Sequence, residues 1–197
     1  MASNDIELVA LAKVATTDAA FAELVTRHQA RLRAFLRRLC GSDFLADDIA
    51  QDTFIKAHAA LSNFQGGGSF RSWLYAIAYR EFLQTRRKER AATKLSEALT
   101  SDAQNDANAG TDIEMDLSLD LRQALASLAE TERAALLLCD AAGLSHSEAA
   151  IAIDRPLGSV KTYVARARQK MREALNATVP ADDQSRKTVE NGVCNAH

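Results

Sequence analysis

An acidic stretch without any Lys or Arg separates two parts of this chain. Between Leu95 and Leu121 there is no Lys or Arg, whereas seven acidic residues fall there. The centre of the stretch, TSDAQNDANAGTD, is small, polar and non-periodic, which is typical of a flexible linker. We therefore predict a first domain at 1–95, a linker at 96–117, a second domain at 118–177 and a disordered tail at 178–197. The acidic residues are Glu97, Asp102, Asp106, Asp112, Glu114, Asp116 and Asp120.

Composition favours an all-α fold. The chain has 197 residues, is 47% hydrophobic and contains only two prolines. Ala and Leu are abundant and β-branched runs are scarce, so we predict two small helical domains joined by the acidic linker. No apolar run reaches the ~18 residues of a membrane span. The N-terminus lacks the features of a signal peptide, so a cytoplasmic location is expected.

Helix boundaries in the first domain can be read from local signals. Apolar residues at helical spacing predict helices at 6–14 and 18–39, and Gly41 ends the second of these. Ser42 or Asp43 is a suitable N-cap for a third helix, which extends to about Leu61. The glycine-rich loop SNFQGGGSF follows, and a fourth helix begins near Ser69. The first domain is therefore predicted to be a helical bundle.

The second domain contains the layout of a helix-turn-helix. Ser145 and Glu148 have capping-box spacing and predict a short helix over 146–153. The sequence Asp154-Arg155-Pro156 then breaks the chain, and a longer helix begins at Pro156. A short helix, a tight turn and a longer basic helix together predict a DNA-binding helix-turn-helix.

The longer helix has a basic face. No acid occurs between Arg155 and Arg172, whereas solvated helix faces usually mix both signs. Val160, Val164 and Ala167 fall on the packing side, and Thr162 and Arg166 fall opposite. Short polar groups and cations on one face suit base edges and phosphates in a major groove.

A second basic segment, Arg80 to Lys94, follows a cluster of aromatic residues. Aromatic rings beside cations can bind unstacked, single-stranded bases as well as the backbone of duplex nucleic acid. Phe70, Trp73 and Ile77 share an apolar stripe and are better explained as core. Tyr75, Tyr79 and the glycine-rich loop are the better candidates for nucleic-acid contact.

A third feature is the acidic face within ADDIAQDTFIKAH. Asp48, Gln51, Asp52 and Ile55 share one helical face, with Asp47 beside it. Paired carboxylates can serve acid–base catalysis, but no His, Ser or Cys completes such a site. A solvated face or a docking surface for a basic partner explains the pattern better. The three cysteines have no zinc-ligand spacing, and neither a metal nor another cofactor is expected.

These segments carry a family resemblance. ADDIAQDTFIKAH, FQGGGSFRSWLYAIAY, RRKER and the stretch from Leu128 to Arg172 resemble, in order and spacing, an extracytoplasmic-function (ECF) sigma factor of the sigma-70 family. The resemblance implies a sigma-2-like domain, a linker and a sigma-4-like domain, with no enzyme activity. It also implies core RNA polymerase (through its largest-subunit clamp and its flap), promoter DNA and an anti-sigma factor as partners. No small-molecule substrate and no membrane insertion are expected.

The resemblance assigns roles to residues of this chain. It implies polymerase docking by Asp47, Asp48, Gln51, Asp52 and Ile55. It implies −35 recognition by Ser159, Lys161, Thr162, Arg166 and Arg168. It implies −10 recognition and melting by Asn63, Phe64, Gln65, Ser69, Arg71, Tyr75, Tyr79, Arg80, Arg86 and Arg87.

The chain departs from the family pattern at a few positions. Arg80 and Gln84 stand where Asn and Asp are frequent, Tyr163 where Arg is frequent, and Asp154 where Gly is frequent. These departures bear on the promoter sequence, not on the class. A stress-response regulon is the expected target. The alternative is a stand-alone helix-turn-helix repressor or activator, which would dimerise on a palindrome. A third hypothesis is an adaptor that binds a polymerase or a sigma partner without contacting DNA.

Overall fold

All regular structure in the described part of the chain is helical. The computed structural model describes residues 4–14, 18–66, 68–99 and 119–178. The all-α prediction is confirmed, and the described residues of the first domain form four α-helices. The predicted disordered tail beyond Thr178 and most of the predicted linker lie outside the described residues. The first-domain helices are α1 (Asp5–Val14), α2 (Ala19–Cys40), α3 (Asp43–Ala59) and α4 (Phe70–Leu99), with a 3₁₀ turn at Leu61–Asn63.

The described residues of the second domain form four more helices, and these include the helix-turn-helix. A π-helical turn, Leu137–Ala141, continues directly from the second of them. The last two form the motif that the sequence predicts. The helices are α5 (Leu119–Ala126), α6 (Glu130–Leu136), α7 (His146–Ile153) and α8 (Leu157–Thr178).

Caps fix the helix ends. Gly41 is left-handed at φ 72°, a conformation that glycine adopts without strain, and its N–H donates to the Arg37 carbonyl at 2.9 Å. The Ser42 hydroxyl accepts a hydrogen bond from the Leu45 N–H at 3.3 Å. At α7 the capping box is complete, because Ser145 accepts from the Glu148 N–H and donates its own N–H to the Glu148 carboxylate.

The turn of the helix-turn-helix contains a left-handed residue that is not glycine. Asp154 has φ 52° and ψ 57°, and among the described residues it is the one non-glycine with positive φ. Short polar side chains tolerate this conformation better than others, at a cost of about 1–2 kcal/mol relative to glycine. The Arg155 N–H donates to the Ala150 carbonyl at 3.0 Å, which holds the turn closed.

The two domains pack against each other. Buried apolar residues from both, such as Phe35 and Leu138, belong to one continuous hydrophobic cluster. Helix α4 runs along α7, and α2 contacts the π-helical turn. Polar bonds cross the same interface, because the Arg71 guanidinium donates to the Gly143 carbonyl at 2.9 Å. Within the described ranges, no helix is long and apolar enough to cross a membrane.

Candidate nucleic-acid interface

Helix α8 presents the basic face that its sequence predicts. Val160, Val164 and Ala167 are buried against α5, α6 and α7. The opposite side therefore faces solvent, where Lys161 and Arg166 are exposed. These two cations form no ion pair with a carboxylate in the described part of the chain, so they are available to phosphates or base edges.

Two smaller groups stand near the start of the same helix. Ser159 is half-buried and Thr162 is exposed. The Thr162 hydroxyl donates to the Gly158 carbonyl at 3.0 Å, so its oxygen remains available as a hydrogen-bond acceptor.

Arg168 differs from the other predicted DNA contacts on α8. Its guanidinium binds the Asp140 carboxylate in a bidentate pair, with N–O distances of 2.6 and 3.0 Å. This pairing raises the pKa of Arg168 above its ordinary value. Arg168 thus joins α8 to the π-helical turn, and its DNA contact, which stays a prediction, requires an exchange of partners.

The glycine-rich loop and the start of α4 enclose a small cavity. Its volume is about 240 Å³, and its walls include Asn63, Gln65, Trp73 and Arg80. Asn63 and Gln65 are exposed at its edge, whereas Phe64 is 8% exposed and its ring lies 5.2 Å from that of Trp73. An aromatic floor with polar edges suits a flat, unstacked base.

The second domain lies across this cavity. Ile151 of α7, which is 59% exposed, forms part of the wall. The Ser69 hydroxyl donates to the Glu148 carboxylate at 2.6 Å, and Arg71 bonds to Gly143. Two of the predicted −10 residues are therefore bound to the helix-turn-helix domain in this conformation.

The two tyrosines of α4 are buried. Tyr75 is 1% exposed, packs edge-on against Phe35 at 5.0 Å, and its burial raises its pKa to about 12. Tyr79 is 4% exposed and lies against Thr131 of the second domain. Neither ring can reach a base in this packing. For Tyr75 this corrects the sequence-based preference, whereas contact of Tyr79 with a base stays a prediction that requires the two domains to separate. Tyr75 is a core residue, because its neighbour Phe35 belongs to the same domain.

The arginines further along α4 differ in their partners. Arg86 pairs with Glu89 at 2.9 Å and approaches Glu130 of the second domain at 3.8 Å. Arg80 and Arg87 are exposed and form no ion pair with a described carboxylate. All three lie on one face of α4 that borders the second domain.

Helix α3 carries the predicted docking face. Asp48, Gln51 and Asp52 are exposed, and Ile55 is 59% exposed. Asp47 instead faces α2, where it lies 3.4 Å from Arg33 and 3.9 Å from Arg37. Asp47 thus helps to hold α3 on α2, and the remaining four residues form the open surface.

Sequence reasoning missed one residue of this surface. Phe44 is 85% exposed, and it precedes Asp48 by one helical turn, so the two share a face. Phe44 and Ile55 are two large apolar side chains exposed at opposite ends of the acidic stripe, and such a surface is a candidate for contact with a partner. The available signal was the i, i+4 spacing from Phe44 to Asp48 in the sequence.

Comparison with known proteins accounts for both domains. The Sigma-70 region 2 model matches residues 24–92, and the Sigma-70 region 4 model matches residues 118–171. An ECF RNA polymerase sigma factor, EcfG of Rhodopseudomonas palustris, is 34% identical over 147 residues, covering 73% of this chain and 78% of the relative. The chain belongs to the ECF sigma factors. The resemblance inferred from its sequence is thereby confirmed.

Two further proteins support the assignment of this chain to the ECF sigma factors. SigE of Mycolicibacterium smegmatis is 35% identical over 158 residues, which cover 78% of the chain but 60% of that relative. Among solved structures, RpoE in complex with the anti-sigma factor NepR from Bartonella quintana is 31% identical. That likeness covers 81% of this chain and 98% of RpoE, with a TM-score of 0.67.

Proposed function

We propose that this ECF sigma factor docks on core RNA polymerase through the exposed face of α3 and directs it to promoters with −35 and −10 elements. Helix α8 reads the −35 element from the major groove, and the cavity beside Trp73 receives a base flipped out of the −10 element. The chain has no catalytic activity of its own, acts in the cytoplasm and serves a stress-response regulon.

The outward basic face of α8 is the observation that carries this proposal. Its apolar side is buried against its own domain, so Lys161 and Arg166 project from a fixed scaffold. Recognition helices use this arrangement, in which phosphate contacts set the register and polar side chains read bases. The acidic face of α3 supplies the complementary contact with a basic polymerase surface.

The packed conformation places one requirement on this function. Ser69 and Arg71 are bound to the second domain, and Ile151 borders the base cavity. Two separate promoter elements can be contacted together only after the domains move apart. We therefore propose that the two domains separate when the chain binds core polymerase, and that α3 is exposed both before and after they separate.

An anti-sigma factor is the second proposed partner. The similar RpoE structure contains one, and this chain has an apolar groove suited to a helix. The groove has a volume of about 530 Å³, a floor that includes Leu125, Leu137 and Met171, and Arg38 and Arg172 at its edge. An amphipathic helix with acidic flanks would fit both the floor and the edge.

In vitro transcription on a library of genomic fragments tests the proposed function. Core polymerase with this chain is expected to start at a small set of sites that share a spaced −35 and −10 motif. Start sites that match those of core polymerase alone would contradict it. A stand-alone repressor is not favoured, because that hypothesis does not explain the match to Sigma-70 region 2 or the exposed acidic face of α3.

A further inference from the structure

A basic cleft lies between the two domains. It has a volume of about 700 Å³, within the range of small-molecule sites, and it is bounded by α4 on one side and by α6, α7 and the helix-turn-helix turn on the other. Five guanidinium groups line it. They belong to Arg80, Arg86, Arg87, Arg90 and Arg155.

Most of this positive charge is not balanced within the described part of the chain. Two carboxylates, Glu130 and Asp154, line the same cleft. Glu130 is shared, since it lies 3.1 Å from Arg90 and 3.8 Å from Arg86. Concave surfaces lined by one sign of charge concentrate ions of the opposite sign, so this cleft attracts anions.

Three of the guanidinium groups are free to bind a ligand. Arg80, Arg87 and Arg155 are exposed and pair with no carboxylate among the described residues. Arg155 donates instead to the neighbouring Asp154 carbonyl, at a long 3.4 Å. Planar guanidinium forks bind phosphate oxygens in bidentate fashion, and three of them match an anion with several charges.

Both domains contribute to the cleft. Arg80 and Arg87 belong to α4, whereas Arg155 is fixed by its own turn through the bond to Ala150. The complete set of arginines exists only while the domains are packed as seen here. A compact ligand that contacts both walls would therefore bind the packed conformation and not the separated one.

We propose that this cleft binds a compact polyphosphate, with or without an attached nucleoside, and that the ligand holds the two domains together. Two apolar side chains at the same cleft, exposed Ile151 and half-buried Leu83, offer a surface for a ribose or base. A ligand that binds one conformation stabilises it by mass action. Competition with promoter binding follows only if the proposed sigma function holds, whereas polyphosphate binding does not depend on it.

Isothermal titration with inorganic tripolyphosphate tests the site directly. The full chain, at physiological salt and without divalent metal, is expected to bind one equivalent saturably. Arg155→Ala and Arg87→Ala, one from each wall, are each expected to weaken binding at least tenfold. Arg172→Ala removes an equal charge from exposed surface on α8, outside the cleft, and is expected to change affinity less than twofold.

Two outcomes would overturn the proposal. One is the absence of saturable binding by the wild-type chain. The other is an equal loss of affinity in Arg155→Ala and Arg172→Ala, which would indicate attraction to overall charge. ATP without magnesium serves as a second probe: an affinity tenfold above that of tripolyphosphate indicates a nucleotide ligand, and equal affinities indicate that phosphate alone is recognised.

A transcription assay then separates this site from the sigma function. Tripolyphosphate is expected to inhibit promoter-directed transcription by the wild-type chain with core polymerase, and to inhibit it at least fivefold less with Arg155→Ala. Equal inhibition of the two proteins would overturn the proposed coupling. Because titration uses neither DNA nor polymerase, failure of polyphosphate binding and failure of the sigma function are distinguishable.

Discussion

The Ser69 hydroxyl donates a 2.6 Å hydrogen bond to the Glu148 carboxylate, and this bond joins the predicted −10 region to the first helix of the helix-turn-helix. The two residues are 79 positions apart in the chain. Glu148 also completes the capping box of α7. One carboxylate thus stabilises both a local helix end and the packing of two domains.

Glu148→Gln is expected to loosen the packing without melting α7. Glutamine can still cap the helix from this position, but it loses the charge that strengthens the bond with Ser69. Small-angle X-ray scattering is expected to show a larger radius of gyration, while circular dichroism stays unchanged. An unchanged radius would contradict a role for this bond in domain packing. Ser147→Ala is the control, since the hydroxyl of Ser147, in the first turn of α7, bonds to the N-cap residue Ser145 of its own domain.

Lowering the pH is expected to loosen the packing of the two domains, as Glu148→Gln does. Hydrogen bonds from Ser69 and Ser145 lower the pKa of Glu148 below its ordinary value of 4.5. A carboxylate whose pKa is depressed by packing contributes stability above its ordinary pKa and loses it as pH falls through the depressed value. The wild-type radius should therefore grow as pH falls below about 4.5, and the Glu148→Gln radius should change less.

The double variant Lys161→Ala with Arg166→Ala is expected to abolish promoter-specific transcription while core binding persists. Both cations are exposed and belong to α8, not to the proposed docking helix α3. Each lost phosphate contact should lower the salt slope of DNA binding by about 1, and each lost base contact should cost ~1–3 kcal/mol. Run-off transcription and co-elution with core polymerase measure the two functions. Loss of core binding would refute this division of labour.

Charge reversal on α3 is expected to abolish core binding, the step that the α8 double variant leaves intact. Asp48→Arg with Asp52→Arg places cations where a basic polymerase surface should dock, so core binding is expected to be lost. The matched control is Glu7→Arg with Glu23→Arg, which makes the same charge change on α1 and α2. Normal core binding by a folded α3 variant, judged by circular dichroism, would show that the docking face lies elsewhere.

Phe44→Ala is expected to weaken core binding with little change in stability. The ring is 85% exposed, so its removal should change the free energy of unfolding by less than ~0.5 kcal/mol. Buried at an interface, an aromatic anchor contributes about 2 kcal/mol, or roughly 30-fold in affinity. Fluorescence titration with core polymerase measures this. Leu95→Ala, which removes another exposed apolar side chain, is the control, and equal effects of the two variants would argue against a specific contact.

The turn at Asp154 offers a test of backbone strain. Asp154→Val places a β-branched residue at φ 52°. Its free energy of unfolding is expected to be lower than that of Asp154→Gly by at least ~1–2 kcal/mol. Urea denaturation followed by circular dichroism measures the difference. Equal stabilities would mean that the left-handed conformation is not kept in solution.

Local features of the fold could be predicted from the sequence. Gly41, Ser42 and the Ser145 capping box each act within four residues, and their consequences follow from short-range sterics and hydrogen bonding. The buried stripe at Val160 and Val164 likewise follows from helical period alone. The all-α class was predictable for the same reason.

Long-range pairings could not be predicted. Nothing local indicates that Arg168 binds Asp140 or that Ser69 binds Glu148, because these contacts depend on how helices are placed in space. Tyr75 was misjudged for a related reason. Tyrosine suits both a core and a binding surface, and the choice depends on neighbours that the sequence does not place beside it.

Co-elution of the purified chain with core RNA polymerase on a sizing column, at moderate salt, tests the proposed sigma function most directly. Stoichiometric co-elution, lost in Asp48→Arg with Asp52→Arg, is the expected result. A folded chain that stays apart from core polymerase, and that shifts a palindromic DNA by itself, would contradict that function and favour a stand-alone helix-turn-helix regulator.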